Sequence, residues 1–92
     1  MLYSKLFELA DTYGLPLEVA FDHCKRNGVG VNWYDFTRAA IRAGWKEKTC
    51  KDRIKYCLVE DFTDKVEVAV ILDRVTQVYR LVKSGAGTPG WL

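Results

Sequence analysis

Three glycines constrain this chain more than any other feature. Gly14, Gly28 and Gly44 each close a stretch whose apolar residues recur at intervals of three and four. A glycine just past such a stretch is the ordinary stop of a short helix, so the first half of the chain reads as three of them. Ser4 to Tyr13 carries Leu6, Phe7, Leu9, Ala10 and Tyr13 at helical spacing, with Ser4 as its cap. Pro16 opens the second helix, which puts Leu17, Ala20, Phe21 and Cys24 on one face and Lys25 and Arg26 in the last turn, where they suit the dipole. Asn32 caps the third, with Asp35 placed to complete a capping box. Trp33, Phe36, Ala40 and Ala43 form its inner stripe, and Arg38 and Arg42 share an outer face.

The "NGVGVN" between the second and third helices reads as a loop. Its Gly28-Val29-Gly30 lacks the preceding strand and third glycine that a nucleotide-binding turn needs. After Gly44 and Trp45 a fourth helix runs from about Lys46 to Asp61, with Cys50, Ile54, Cys57 and Leu58 inward. At about 100° per residue, its outer face carries Lys48, Asp52, Lys55 and Tyr56. Thr49 lies beside them, and Lys51 and Arg53 flank the edges.

The segment "KVEVAVILDRVTQVYRLVK" admits two readings. Val68, Leu72, Val75, Tyr79 and Val82 make a helical stripe that Thr63 or Asp64 could cap. Against this, eight of its nineteen residues are Val, Ile or Thr, and Val66, Val68 and Val70 alternate with their neighbours. That composition favours strands, with a turn near Asp73-Arg74, and the hairpin is the leading expectation. The fold class is therefore α+β and mainly helical: four helices and a C-terminal β-hairpin, with an all-α five-helix domain as the alternative. Residues 1–83 form one compact domain. The tail 84–92, "SGAGTPGWL", holds three glycines and a proline and is expected to be flexible. Its terminal Trp91-Leu92 either folds back on the domain or anchors a second subunit.

Charge is informative here by its placement. The net charge is only +2, yet residues 42–55 hold six basic and two acidic groups, so the remainder of the chain is net acidic. Such local asymmetry suits a polyanion or an acidic partner. No apolar run reaches the roughly 18 residues of a membrane span, and the start has no signal-peptide pattern. Cys24, Cys50 and Cys57 are an odd set without CxxC spacing, which fits free thiols in a reducing cytoplasm. Seven residues put Cys50 and Cys57 about 10 Å apart on one helix. With His23 the only histidine, neither a metal nor a disulfide is expected. His23 beside Cys24 is not a nucleophile–base pair, and Asp11, Asp22 and Asp35 read as surface or capping groups. No enzyme and no cofactor are expected.

Ala40, Gly44 four residues later, Trp45, and Cys50 six further on together resemble the helix-turn-helix DNA-binding unit. With a hairpin after it, residues 32–83 resemble the winged helix-turn-helix family. The resemblance implies a DNA-binding regulator or accessory factor whose fourth helix (46–58) enters the major groove of duplex DNA. Lys46, Lys48, Lys51 and Lys55 would meet phosphates, Thr49 and Arg53 would lie nearest the base edges, and Arg42 and Tyr56 would border them. Arg74 at the wing turn, with Arg80 or Lys83, would reach flanking phosphates, and a homodimer would supply specificity. The alternative is a small protein-binding adaptor or inhibitor, suited to a phage or mobile element, whose basic helix meets an acidic partner surface. Its anchors would be Trp33-Tyr34, Tyr56 or Trp91-Leu92.

Overall fold

The computed structural model describes residues 2–91. In chain order these form β1 (Leu2–Tyr3), α1 (Leu6–Asp11), α2 (Leu17–Arg26), β2 (Gly30–Val31), α3 (Trp33–Arg42), α4 (Glu47–Glu60) and α5 (Lys65–Ser84).

The largest correction concerns α5. Residues 65–84 are one continuous helix, so there is no C-terminal hairpin and no wing. Asp64 supplies the start, its Oδ1 accepting the Val66 N–H at 2.7 Å. No glycine, proline or asparagine interrupts the following twenty residues, and Gly85, at φ 72°, ends them. The β-branched residues cost little helix propensity individually. Val68, Ile71, Val75 and Val78 instead bury themselves along one stripe. That stripe is what α3 and α4 pack on: their extensive contacts are with α5 rather than with each other. Tertiary burial overrides the strand-like composition.

The only sheet among the described residues lies at the other end of the chain. β1 pairs with β2 in parallel, Leu2 opposite Gly30 and Tyr3 opposite Val31. The "NGVGVN" loop therefore contains a short strand. The Asn32 N–H extends the pairing by donating to the Tyr3 carbonyl at 2.9 Å. Because Tyr3 is held in this ladder, α1 starts later than expected. Its cap position is Lys5, and Ser4 makes no capping bond. Asn32 does cap α3, accepting the Asp35 N–H at 3.1 Å.

An aromatic cluster sits where α1, α3 and the α3–α4 turn meet. Phe7 stands edge-on to Phe36 (5.4 Å) and to Trp45 (5.0 Å), and Trp33 stands edge-on to Phe36 (5.4 Å). Pairs in this geometry add about 0.5–1.5 kcal/mol beyond their burial. The Tyr79 hydroxyl donates to the Trp45 carbonyl at 2.7 Å, tying α5 to the turn 34 residues away. The tail returns along the α3–α5 groove. Trp91 faces Tyr34, lies under the Arg74 guanidinium (5.0 Å) and donates through Nε1 to Gln77 Oε1 (2.9 Å).

Candidate interaction surfaces

The inner and outer faces of α4 fall where the sequence places them. Cys50, Ile54, Cys57 and Leu58 are buried, while Lys48, Thr49, Asp52, Arg53, Lys55 and Tyr56 are exposed and Lys51 is half-buried. Lys46 and Arg42 are exposed just before it. The charges are partly engaged. Lys48 pairs with Asp52 at 2.8 Å and Lys51 approaches Glu47 at 4.0 Å, each one turn away. Exposed pairs of this kind are worth little, so both lysines remain available to a stronger anion. Arg53 is committed differently. Its guanidinium lies over the Trp45 ring at 4.7 Å rather than extending from the outer face. Arg74 loses its expected place at a wing turn, because that turn is the middle of α5 and its side chain stacks on Trp91.

A second surface is made by the α1–α2 connection, α2 and the outer edge of α4. Two clefts meet there, and Leu15 lines both. One, of about 400 Å³, includes Leu15, Pro16, Trp45, Arg53 and Tyr56, with Asp11, Glu18 and Asp52 at its rim. The other, of about 490 Å³, is lined almost wholly by apolar atoms of Leu9, Leu15, Val19, Ala20 and Val29, with His23 and Asn27 beside them. Tyr13 stands 72% exposed, and Leu15, Val19 and Tyr56 are also exposed. Sequence reasoning named Tyr56 but missed Tyr13, Leu15 and Val19. The signal was Leu15 between Gly14 and Pro16, an apolar residue outside any helical stripe.

The third surface is the corner between α4 and α5. Here Asp61, Phe62, Thr63 and Asp64 turn the chain. The Phe62 N–H donates to Val59 O (3.0 Å) and the Thr63 N–H to Leu58 O (3.0 Å), the two bonds of a Schellman stop. That stop needs a left-handed residue, and the residue is Phe62, with φ 57°. Its side chain is 95% exposed. Val59 on α4 and Val66 and Val70 on α5 are also exposed. Lys25 reaches across from α2, with Nζ 2.6 Å from Asp61 Oδ2 and donating to the Asp61 carbonyl at 3.3 Å. The ammonium is held above its ordinary value chiefly by its bond to Asp61, assisted by the charges of Glu67 and Asp22.

All three thiols are buried, and Cys24 lines the second cleft beside Val19 and His23. Burial pushes Cys50 up to about 11 and Cys57 up to about 12, so neither is a thiolate nucleophile near neutral pH. Among the described residues no three His, Cys, Asp or Glu side chains converge as a metal site would require. Among the same residues no helix is long and apolar enough to cross a membrane. No family model, curated protein or solved structure matches the chain.

Proposed function

We propose that this chain is a non-catalytic protein-binding domain and that its partner docks on the face centred on Leu15. The observation that carries this reading is the pair of apolar clefts meeting at an exposed leucine, flanked by the exposed tyrosines Tyr13 and Tyr56. Tyrosine beside a desolvatable apolar pocket is the usual composition of an interface anchor. The rim gives the partner a sign. Residues 6–24 hold four acidic residues and no lysine or arginine, and Asp11 and Glu18 border the first cleft. The fitting partner presents apolar side chains among basic ones.

Duplex DNA is the second reading. It is favoured by Thr49 and Lys55 standing exposed on α4, with Lys46 exposed at its N-cap. Without a wing, and with Arg53 on Trp45, its base-reading equipment is reduced to that helix.

A photo-crosslinking residue at position 15 identifies the partner, and binding is then measured with the purified pair. Leu15→Asp and Tyr56→Ala should each weaken it by about tenfold or more, whereas a Lys48/Lys51/Lys55 triple alanine variant should not. Partner binding that survives Leu15→Asp excludes this face. Salt-sensitive DNA binding that is lost in the triple variant establishes the second reading instead.

A further inference from the structure

We propose that the α3–α5 groove is a binding site for a tryptophan side chain. The chain's own Trp91 fills it as a detachable latch, and a partner's tryptophan-bearing segment enters by displacing that latch. The site lies apart from the Leu15 face and shares no lining residue with its two clefts.

Each property of an indole meets its counterpart in the groove. The Nε1–H donates to Gln77 Oε1 at 2.9 Å, the ring face lies under the Arg74 guanidinium at 5.0 Å, and Tyr34 stands edge-on at 6.5 Å. Two of these groups are set by the helices rather than by the tail. Gln77 Nε2 donates to Asp73 Oδ2 at 2.7 Å, one turn back on α5, which commits the amide nitrogen and leaves the oxygen to accept. Arg38 Nη1 donates to the Tyr34 hydroxyl at 3.4 Å from one turn further along α3. A seat arranged in advance by the body of the domain does not depend on which chain supplies the ring. Phenylalanine would leave the oriented Gln77 oxygen without its donor.

The tether is built to let go. At the stop of α5 the Gly85 and Ala86 N–H groups donate to Val82 O and Leu81 O. Beyond it, among the described residues, no backbone hydrogen bond ties residues 87–91 to the helices. Gly85, Gly87 and Gly90 keep the segment flexible, and of residues 85–91 only Pro89 and Trp91 are withdrawn from solvent. The latch therefore opens without breaking any element of the fold. Its fit is also incomplete, for a recess of about 120 Å³ stays open beside the ring, lined by Leu2, Val31 and Trp33. A partner segment with an apolar residue next to its tryptophan gains contacts there that the tail does not make.

The probe is the peptide Thr-Pro-Gly-Trp amide, the chain's own residues 88–91, titrated into the isotopically labelled full-length protein and followed by NMR. Trp91→Ala should melt as cooperatively as the wild type and bind the peptide at one site, with shifts at Tyr34, Arg74 and Gln77. The wild type should bind it several-fold more weakly, because the tethered ring competes at a millimolar effective concentration. Saturating peptide should move the wild-type Trp91 Nε1–H resonance toward its unbound position. Thr-Pro-Gly-Phe amide should bind Trp91→Ala several-fold more weakly than the tryptophan peptide. Without peptide, the wild-type Trp91 Nε1–H should exchange with solvent far faster than the Val75 and Val78 amides. The proposal is overturned if Trp91→Ala takes up no peptide by about 10 mM, since a weaker seat would not hold the tethered ring either. Equal binding by wild type and Trp91→Ala, equal binding of the two peptides, or shifts that map elsewhere overturn it too. So does a Trp91→Ala chain that fails to fold, or an indole N–H that exchanges only with the core amides, because the tail is then part of the core.

Discussion

The ends of α3 and α4 are built alike and chosen differently. After α3, the Gly44 N–H donates to Ile41 O and the Trp45 N–H to Ala40 O, the same two-bond stop that Phe62 and Thr63 make after α4. At α3 the left-handed position is glycine, at φ 87°, and the aromatic residue comes next, packed against Phe7 and Phe36. At α4 the aromatic residue occupies the left-handed position itself and points away from the core. The first arrangement serves the fold. The second leaves a ring in solvent at a position where glycine would be relaxed.

The sharpest separation should come from Leu58 and Phe62, apolar residues four apart at this one corner. Leu58 is completely buried, so Leu58→Ala should cost about 2–5 kcal/mol. Phe62→Ala should be nearly neutral, as urea midpoints of the two variants would show. Next in size is Gly44→Phe. A Cβ there meets no atom within 4 Å, so the penalty is backbone strain alone. About 1–2 kcal/mol is expected, lowering the melting temperature by about 4–8 °C for each kcal/mol. The reverse exchange, Phe62→Gly, should gain up to about 1 kcal/mol. A loss of stability there would mean that the two helix ends are equivalent after all.

The smallest effect concerns the tie that holds the corner. Lys25 has its folded value raised, so its contribution is fully present below its ordinary value of 10.5. The contribution is lost as pH rises through the folded value. Melting curves from pH 9 upward should therefore fall slightly more steeply for the wild type than for Lys25→Met.

The sequence was most readable where local chemistry and burial agree. Pro16, Asn32, Gly28 and Gly44 bracket α2 and α3, and the inner face of α4 is plain from Cys50, Ile54, Cys57 and Leu58. The i,i+4 pairs Lys48–Asp52 and Glu47–Lys51 follow from spacing alone. Residues 65–84 misled because valine-rich composition speaks for strands, while the burial that makes them helical is supplied by α3 and α4. The β1–β2 pair left no periodicity to detect, being two residues long and joined across 28 positions. Phe62 was invisible for a different reason. Nothing in "EDFTD" marks a left-handed backbone, although a helix end with no glycine, followed at once by an Asp cap, was the available hint.

The position of α5 also has a consequence for how the protein is made. It follows α3 and α4 in the chain, yet both rest on it. Until it emerges, α1 and α2 can pack on α3 and α4, but the sides of α3 and α4 that face α5 stay uncovered. A nascent chain that has reached only α4 therefore stays partly open, and dependent on protection from aggregation.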